Sequence, residues 1–229
     1  MTIDKQMKII ARIRTDFPTK FGIPRQSGLI DALKATIVFE PEYRNPDALR
    51  GLEGYSHIWL IWGFSEAERD TWSPTVRPPR LGGNKRVGVF ATRSPFRPNA
   101  IGLSSVKLLS VEQLPDLGSV LHVSGADLMD NTPIYDIKPY ITYTDSHPDA
   151  VGGFVDGLKD FELKVDFPES LIHLIPEEHR EALMGVLGQD PRPSYQNDPD
   201  RIYGLEFAGF DIRFTVRESI LFVCEVVPL

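Results

Sequence analysis

The chain has only one cysteine, Cys224, among its 229 residues. A single thiol excludes an intramolecular disulfide and any metal or iron–sulfur site built from clustered cysteines. No apolar run approaches the length of a membrane span, and the first residues lack the apolar stretch of a signal peptide. We therefore expect a cytoplasmic protein. Hydrophobic residues make up 41% of the chain, which is enough for a folded apolar core.

Familiar nucleotide and hydrolase motifs are also missing. The chain has no G-x-x-x-x-G-K-[ST] loop and no G-x-G-x-x-G turn between a strand and a helix. Their absence argues against a P-loop nucleotidase and a Rossmann-type site. The five histidines show no H-x-x-x-H spacing, so we predict no metal site. Cys224 lies in an apolar run, which favours a buried core thiol over a nucleophile.

Acidic residues are absent from Thr71 to Val111, although the whole chain has 32 of them and a net charge of −7. Concentrated positive charge in an acidic protein indicates an anionic ligand, and guanidinium groups match phosphate oxygens in pairs. A solvated basic loop that balances acidic neighbours is the alternative. The seven cations of this acid-free segment are Arg77, Arg80, Lys85, Arg86, Arg93, Arg97 and Lys107.

The hydrophobic pattern predicts a mainly β fold in two domains. Short apolar runs separated by Gly, Pro, Asn and Asp indicate a small N-terminal β-barrel over residues 1–145. Residues 146–229 are expected to form a small α+β domain, with a helix at about 175–188 and a hairpin at about 205–227. We predict a further helix at Pro46 to Gly51, and residues 141–168 read as irregular. The predicted strands are Ile9–Ile13, Thr36–Phe39, His57–Phe64, Val87–Ala91, Ser104–Val111, Val120–Ser124, Leu205–Val216 and Ile220–Val227.

Three short constellations carry further polar groups. Pro24-Arg25-Gln26 lies in a glycine-flanked loop, where a plain surface turn is the alternative. Asp127-Leu128-Met129-Asp130 follows a strand, and its carboxylates suit ribose hydroxyls or a cation, although an Asx-rich turn explains them equally well. Asp136, Lys138 and Tyr140 lie along an extended stretch in which a local ion pair is the simpler account.

These residues resemble those of the TsaA/TrmO family, the β-barrel S-adenosylmethionine-dependent tRNA methyltransferases. The resemblance covers nearly the whole chain. It implies that the methyl donor binds at a homodimer interface. It also implies methylation of the N6 atom of threonylcarbamoyladenosine at position 37, in the anticodon loop of threonine tRNAs. The matching pieces are PRQ (24–26), GLEGYSHIWLI (51–61), TVRPPRLGGNKRVGVFATRSPFRPNAIGLS (75–104), DLMDNTPIYDIKPY (127–140) and QDPRPSYQNDPDRIYGLEFAGFDIRF (189–214).

The resemblance also assigns roles to individual residues. Ser65 and Glu66 stand where family members often have a His-containing pair. An acylated N6 is a poor nucleophile with a fairly acidic N–H, so a base or a stabilising group would help, and Asp136, Lys138 and Tyr140 are the candidates. Arg77, Arg80, Lys85, Arg86 and Arg97 are predicted to face tRNA, with Trp72 and Phe96 available to stack on a base. Donor binding is expected of Pro24, Arg25, Gln26, Ser65, Glu66, Arg93, Leu103, Asp127, Leu128, Met129 and Asp130.

Two other functions fit the same sequence. A barrel that senses S-adenosylmethionine or another nucleotide without catalysis would keep the donor motifs. An RNA-binding module would need only the acid-free segment. The aromatic run His57–Phe64 predicts a dimer interface, with ordinary core packing of Trp59 and Trp62 as the alternative.

Overall fold

The computed structural model describes residues 6–66, 71–78, 81, 85–158, 162–193, 196 and 198–229. Six of the described strands close into an antiparallel barrel in the order β1-β2-β7-β6-β3-β8. None of the helices in these residues is long and apolar enough to cross a membrane. The barrel strands are β1 (Ala11–Arg14), β2 (Lys34–Phe39), β3 (His57–Gly63), β6 (Ile101–Leu114), β7 (Gly118–Ser124) and β8 (Pro133–Pro139).

Alternating side chains explain why these segments form the barrel wall. In β3, Ile58, Leu60 and Trp62 point inward and are buried, while His57, Trp59 and Ile61 face outward. The same period of two runs through β6, where the inward set includes Ser104, a polar residue. The barrel interior is one apolar cluster that also contains Ile13, Ile37, Leu121 and Ile134.

Residues beyond the barrel form a second sheet and a helix. The sheet has the strand order β10-β11-β12-β9, and its apolar face packs with α3 into a separate core. The elements of this part are α1 (Thr142–Asp145), β9 (Lys164–Asp166), α2 (Glu169–Ile172), α3 (Glu177–Gly188), β10 (Tyr203–Phe207), β11 (Phe210–Arg217) and β12 (Ile220–Pro228).

The loop between β1 and β2, residues 15–33, joins the two cores. Phe17, Ile30 and Leu33 are buried in the C-terminal core, although they belong to the N-terminal part of the sequence. Asp16 accepts from Nδ1 of His179 at 3.2 Å, and its backbone oxygen accepts the N–H of Ala208. The loop is therefore held against both the barrel and the second sheet, which limits the conformations of the Pro24–Gln26 stretch within it.

Several predicted elements need correction. The strand predicted at Leu205–Val216 is two strands, because Ala208 and Gly209 take positive φ values of 49° and 81° and form a turn. The strand predicted at Val87–Ala91 is only β5 (Val87–Gly88), which pairs with β4 (Thr75–Val76) and runs into a 3-10 turn over Val89–Ala91. Residues 141–168, predicted as irregular, contain β9, which pairs in parallel with β12.

Two smaller differences are local. The helix predicted at Pro46–Gly51 is a 3-10 turn over Pro46–Leu49, and Asn45 caps it by accepting the N–H of Asp47 at 3.0 Å. Cys224 is exposed rather than buried. The register of β12 against β11 slips between Arg213 and Phe214, so Cys224 is the extra residue of a bulge and leaves the inward-facing series.

Candidate functional site

A cleft of about 950 Å³ opens at one end of the barrel. Its floor is the place where the end of β3 pairs with the start of β6, with Trp62 opposite Gly102 and Ile61 opposite Leu103. A cleft of this volume takes a ligand of nucleoside size. Its lining residues come from four parts of the chain: 20–26, 62–66, 90–103 and 127–132.

Backbone hydrogen bonds hold two of the predicted motifs side by side. Gly28 N–H donates to Gly125 O at 2.8 Å, and Gly125 N–H donates to Leu33 O at 2.8 Å. Asp130 N–H donates to Phe17 O, also at 2.8 Å. These bonds tie the loop of residues 15–33 to the turn that follows β7, and so bring the PRQ and DLMD stretches to the same cleft.

The structure gathers most of the predicted donor residues at this cleft. Residues that are more than one hundred positions apart in sequence become neighbours, as Pro24 and Asp127 show. Lys20 and Arg97 line the same space and add to its positive charge. The predicted donor residues that line it are Pro24, Arg25, Gln26, Ser65, Glu66, Arg93, Leu103, Asp127 and Met129.

The carboxylate of Asp127 lines the cleft and is held in a fixed orientation. Ser104 Oγ donates to Asp127 Oδ1 at 2.6 Å, and Trp62 Nε1 donates to Ser104 Oγ at 3.0 Å. Burial raises the pKa of Asp127 above its usual value of 3.8, opposed by the Ser104 hydrogen bond and by the positive charge of Arg93. A half-buried carboxylate in a cleft, held by a buried hydroxyl, is suited to a cationic ligand.

The start of β6 requires a glycine beside these hydrogen bonds. A Cβ added at Gly102 would lie 2.2 Å from Cε2 of Trp62, well inside contact distance. Because the indole occupies that space, its N–H reaches Ser104. Gly102 therefore permits the close packing on which the Trp62–Ser104–Asp127 chain of hydrogen bonds depends.

Arg93 links two walls of the cleft. Its Nη1 donates to Oε1 of Gln26, and Gln26 Nε2 donates to the backbone oxygen of Arg25. Guanidinium groups at Arg25, Arg93 and Arg97, together with the ammonium of Lys20, line a space whose described carboxylates are Asp127 and Glu66. The cleft therefore offers cations for an anionic end of a ligand and a carboxylate for a cationic centre.

Two members of the DLMD stretch point elsewhere. Leu128 is buried in the barrel core. Asp130 accepts the N–H of Thr15 at 3.0 Å and lies 3.5 Å from Nη1 of Arg14, so its carboxylate fixes the turn rather than lining the cleft. The positive φ of Asn131, 64°, belongs to the same turn. The sequence could not separate Asp127 from Asp130, because only this turn decides which carboxylate faces the cleft.

Asp136, Lys138 and Tyr140 do not line the cleft of this chain. Asp136 and Lys138 form an ion pair at 2.8 Å on β8. Tyr140 follows the strand and packs against Trp59, with ring centroids 5.6 Å apart. Trp59 in turn donates to Asp145 at 2.8 Å. This group belongs to the outer face of the barrel.

The predicted RNA-facing cations are on the surface beside the cleft. Arg77, Lys85 and Arg86 are exposed, and Arg86 donates to Oγ1 of Thr75 at 3.3 Å. Arg97 is half-buried, donates to the backbone oxygen of Thr92 at 3.1 Å, and lines the cleft. Within the part of the chain that the structure describes, none of these four makes an ion pair with a carboxylate. Arg80 lies outside the described residues.

Ser104 and Trp62 are site residues that the sequence did not reveal. A serine at an inward position of an otherwise apolar strand is a usable signal, because buried hydroxyls need a partner. The identity of that partner required the fold, since Asp127 is 23 residues further along.

Family comparisons identify the proteins that this chain resembles. A family model for the tRNA-methyltransferase O N-terminal domain matches residues 12–146, and a model for the TrmO C-terminal domain matches residues 161–229. The tRNA (adenine(37)-N6)-methyltransferase of Escherichia coli (strain K12) is 39% identical over 222 residues, which cover 93% of this chain and 94% of that protein.

Two relatives from Pseudomonas aeruginosa extend the comparison. The putative S-adenosylmethionine-dependent methyltransferase RcsF of strain PAO1 is 40% identical over 213 residues, 90% of each chain. A crystal structure of TrmO from the same species superposes with a TM-score of 0.81 at 33% identity, covering 100% of this chain and 99% of that one. The family models, the sequence identity and the shared fold together show that the chain belongs to the TrmO family.

Proposed function

We propose that this protein methylates the N6 atom of threonylcarbamoyladenosine at position 37 of tRNA, with S-adenosylmethionine as the methyl donor. The enzyme is a tRNA (adenine-N6)-methyltransferase. One observation carries the proposal: four separate stretches of the chain meet in a single cleft, and the acid-free segment forms part of its rim. Such a cleft places a small charged ligand beside a surface for a polyanion.

The residues of the cleft fit the donor. When bound, S-adenosylmethionine supplies an electrophilic methyl group on a sulfonium centre. Asp127 supplies the negative charge that favours such a cation, and Ser104 keeps that carboxylate aimed into the cleft. Lys20, Arg25 and Arg93 supply cations for a carboxylate. Asp130 acts on the same site through the turn that it fixes.

Methyl transfer in line needs positioning above all, which a pre-formed cleft between rigid strands provides. The acceptor N–H must also lose its proton. Asp136, Lys138 and Tyr140 remain our candidates for the group that assists, and in this proposal they act across the dimer, since they do not line the cleft of their own chain.

A homodimer is the second part of the proposal. Leu103 and Ile101 of β6 are 54% and 37% exposed, next to the outward residues Trp59 and Ile61 of β3. Because Leu103 also lines the cleft, a partner that covered this apolar patch would complete the donor site. Light scattering at micromolar concentration should give the mass of two chains, and an active monomer would contradict the dimer.

Donor binding separates an enzyme from a plain RNA-binding module. Calorimetry should show binding of S-adenosylmethionine to the folded protein. Arg25→Ala should weaken it by about 1.5–3 kcal/mol, the value of a hydrogen bond to a charged group. A folded protein without donor affinity would remove the enzyme interpretation. Donor binding without transfer of labelled methyl groups to tRNA would instead indicate a sensor. A tRNA-modifying enzyme of this kind would work in the cytoplasm.

A further inference from the structure

Two large aromatic side chains lie together on the surface beside the cleft. Trp72 is 52% exposed and Phe90 is 71% exposed. Their rings are stacked, with centroids 6.2 Å apart and an interplanar angle of 29°. Single exposed aromatics are common and need no explanation, whereas two exposed rings stacked on each other form a larger aromatic surface, here called the platform.

The backbone around the platform fixes the position of both rings. Trp72 comes shortly before β4 and Phe90 shortly after β5, and these two strands pair through Thr75 opposite Gly88 and Val76 opposite Val87. Val89 N–H donates to Pro74 O at 3.0 Å, and the Val89 side chain is 1% exposed. Burying Val89 anchors the two-stranded β4–β5 ribbon, and its neighbour Phe90 faces outward.

The surroundings of the platform indicate what it contacts. Phe90 also lines the donor cleft, so the platform continues into the space where the reaction takes place. Arg77, Lys85 and Arg86 lie on the same ribbon, are exposed, and belong to the acid-free segment. An apolar peptide would not need these cations, and a phosphate alone would not need the rings. A nucleotide with an unpaired base uses both.

We propose that Trp72 and Phe90 bind an unpaired base of the substrate RNA that neighbours the methylated adenosine, while the ribbon cations contact its phosphates. This inference rests on the proposed function, because it needs an RNA substrate in the cleft. Stacking holds the neighbouring base away from the loop stack, which lets the target adenine enter the cleft. The sequence offered Trp72 and Phe96 as rings that could stack on a base, and the structure places Phe90 beside Trp72.

The test uses Trp72, because it does not line the donor cleft. Trp72→Ala should weaken binding of an anticodon stem-loop RNA about tenfold, corresponding to about 1.4 kcal/mol, within the range measured for stacked bases. Donor affinity should not change. Trp72→Phe should restore most of the RNA affinity, because it keeps a ring. Tyr143→Ala is the matched control, since Tyr143 is 86% exposed in α1 and outside the ribbon.

Two further readouts identify the contact as stacking. The dependence of RNA affinity on salt should stay the same in Trp72→Ala, because stacking releases no counterions. A set of stem-loops, each with one abasic nucleotide at a different position, locates the stacked base. The stem-loop that lacks this base should bind the wild type and Trp72→Ala equally well. RNA affinity of Trp72→Ala within twofold of the wild type, or the same tenfold loss on every abasic RNA, would overturn the inference.

The remaining outcomes are also decisive. If Trp72→Ala dissociates a dimer in light scattering, the platform is a protein interface and the inference is overturned. If the wild type methylates tRNA while Trp72→Ala binds RNA normally, the inference fails and the proposed function stands. If the wild type binds no RNA at all, the proposed function fails first. Circular dichroism of each variant excludes loss of fold as the cause.

Discussion

At the scale of single residues, Asp127 combines the donor-binding role that we propose with a position that disfavours its charge. Burial raises its pKa above 3.8, so the folded protein favours its neutral form more than the unfolded chain does. Between pH 3.8 and that raised pKa, the folded state binds more protons than the unfolded state. The free energy of unfolding therefore falls as the pH rises through this window. Above the raised pKa it stays at the lower value.

Replacing this charge should stabilise the fold and remove the function. We expect Asp127→Asn to raise the free energy of unfolding at pH 7 by on the order of 1 kcal/mol, because the neutral amide avoids the desolvation of a carboxylate. Below pH 3.8 the two proteins should be equally stable. Urea denaturation at both pH values measures the difference, and calorimetry should show lost donor binding. A less stable variant at pH 7 would contradict this account of Asp127.

Ser104 should act on the donor through Asp127. Its hydrogen bond lowers the pKa of Asp127, so Ser104→Ala should raise that pKa further. If the ionised carboxylate binds the donor, the pH midpoint below which donor affinity is lost should move upward. Measuring donor affinity as a function of pH, from 3.8 upward, tests this, and Ser104→Thr, which keeps a hydroxyl, is the control. An unchanged midpoint with a uniformly weaker affinity would indicate a packing role only.

At the scale of elements, the loop of residues 15–33 and the bulge in β12 show where local structure depends on distant partners. Phe17 is 1% exposed and packs edge-on against Phe207, with ring centroids 5.2 Å apart. An N-terminal loop therefore completes the C-terminal core. The boundary near residue 145 remains a prediction about sequence units, and this core contains residues from both sides of it.

Removing the Phe17 ring should destabilise the C-terminal part of the molecule. We expect Phe17→Ala to cost about 3–5 kcal/mol in free energy of unfolding, the usual cost of deleting a buried aromatic ring. Phe17→Leu should cost much less, because it refills most of the volume. Chemical denaturation followed by fluorescence and by circular dichroism measures both variants. A loss below about 1 kcal/mol would show that the loop is not part of this core.

The bulge in β12 predicts an accessible thiol. Cys224 is exposed and is the only cysteine, so a thiol reagent should label one group per chain without denaturant. The Cys224→Ser variant should not react. If labelling required urea, the thiol would be buried and the register slip at Arg213 would be wrong.

At the scale of the whole molecule, short apolar runs separated by turn residues predicted the barrel and most of its strands, because Gly, Pro, Asn and Asp mark the places where the chain reverses. The break at Ala208-Gly209 was also visible in principle: the apolar positions change from odd to even between Phe207 and Phe210. The Ser104–Asp127 contact and the turn that directs Asp130 away from the cleft were not visible. Both depend on which distant segments meet.

The proposed separation of the donor cleft from the RNA surface also belongs to the scale of the whole molecule. Arg77→Glu combined with Arg86→Glu should leave donor affinity unchanged and weaken tRNA binding. It should also reduce the slope of log affinity against log salt by about one to two units, because fewer counterions are released. Lys164→Glu with Arg201→Glu changes the net charge equally on the C-terminal part and should have little effect. If instead the Lys164→Glu with Arg201→Glu variant lost tRNA binding and the Arg77→Glu with Arg86→Glu variant did not, the RNA surface would lie on the C-terminal part.

The central claim is that the cleft methylates threonylcarbamoyladenosine in tRNA. Its most direct test is mass spectrometry of the nucleosides from two threonine tRNA preparations, one with threonylcarbamoyladenosine at position 37 and one with plain adenosine. Each is incubated with the purified protein and S-adenosylmethionine. We predict one added methyl group on the threonylcarbamoylated nucleoside and none on the plain adenosine. Methylation of plain adenosine alone, or of neither preparation by a protein that binds the donor, would contradict the claim.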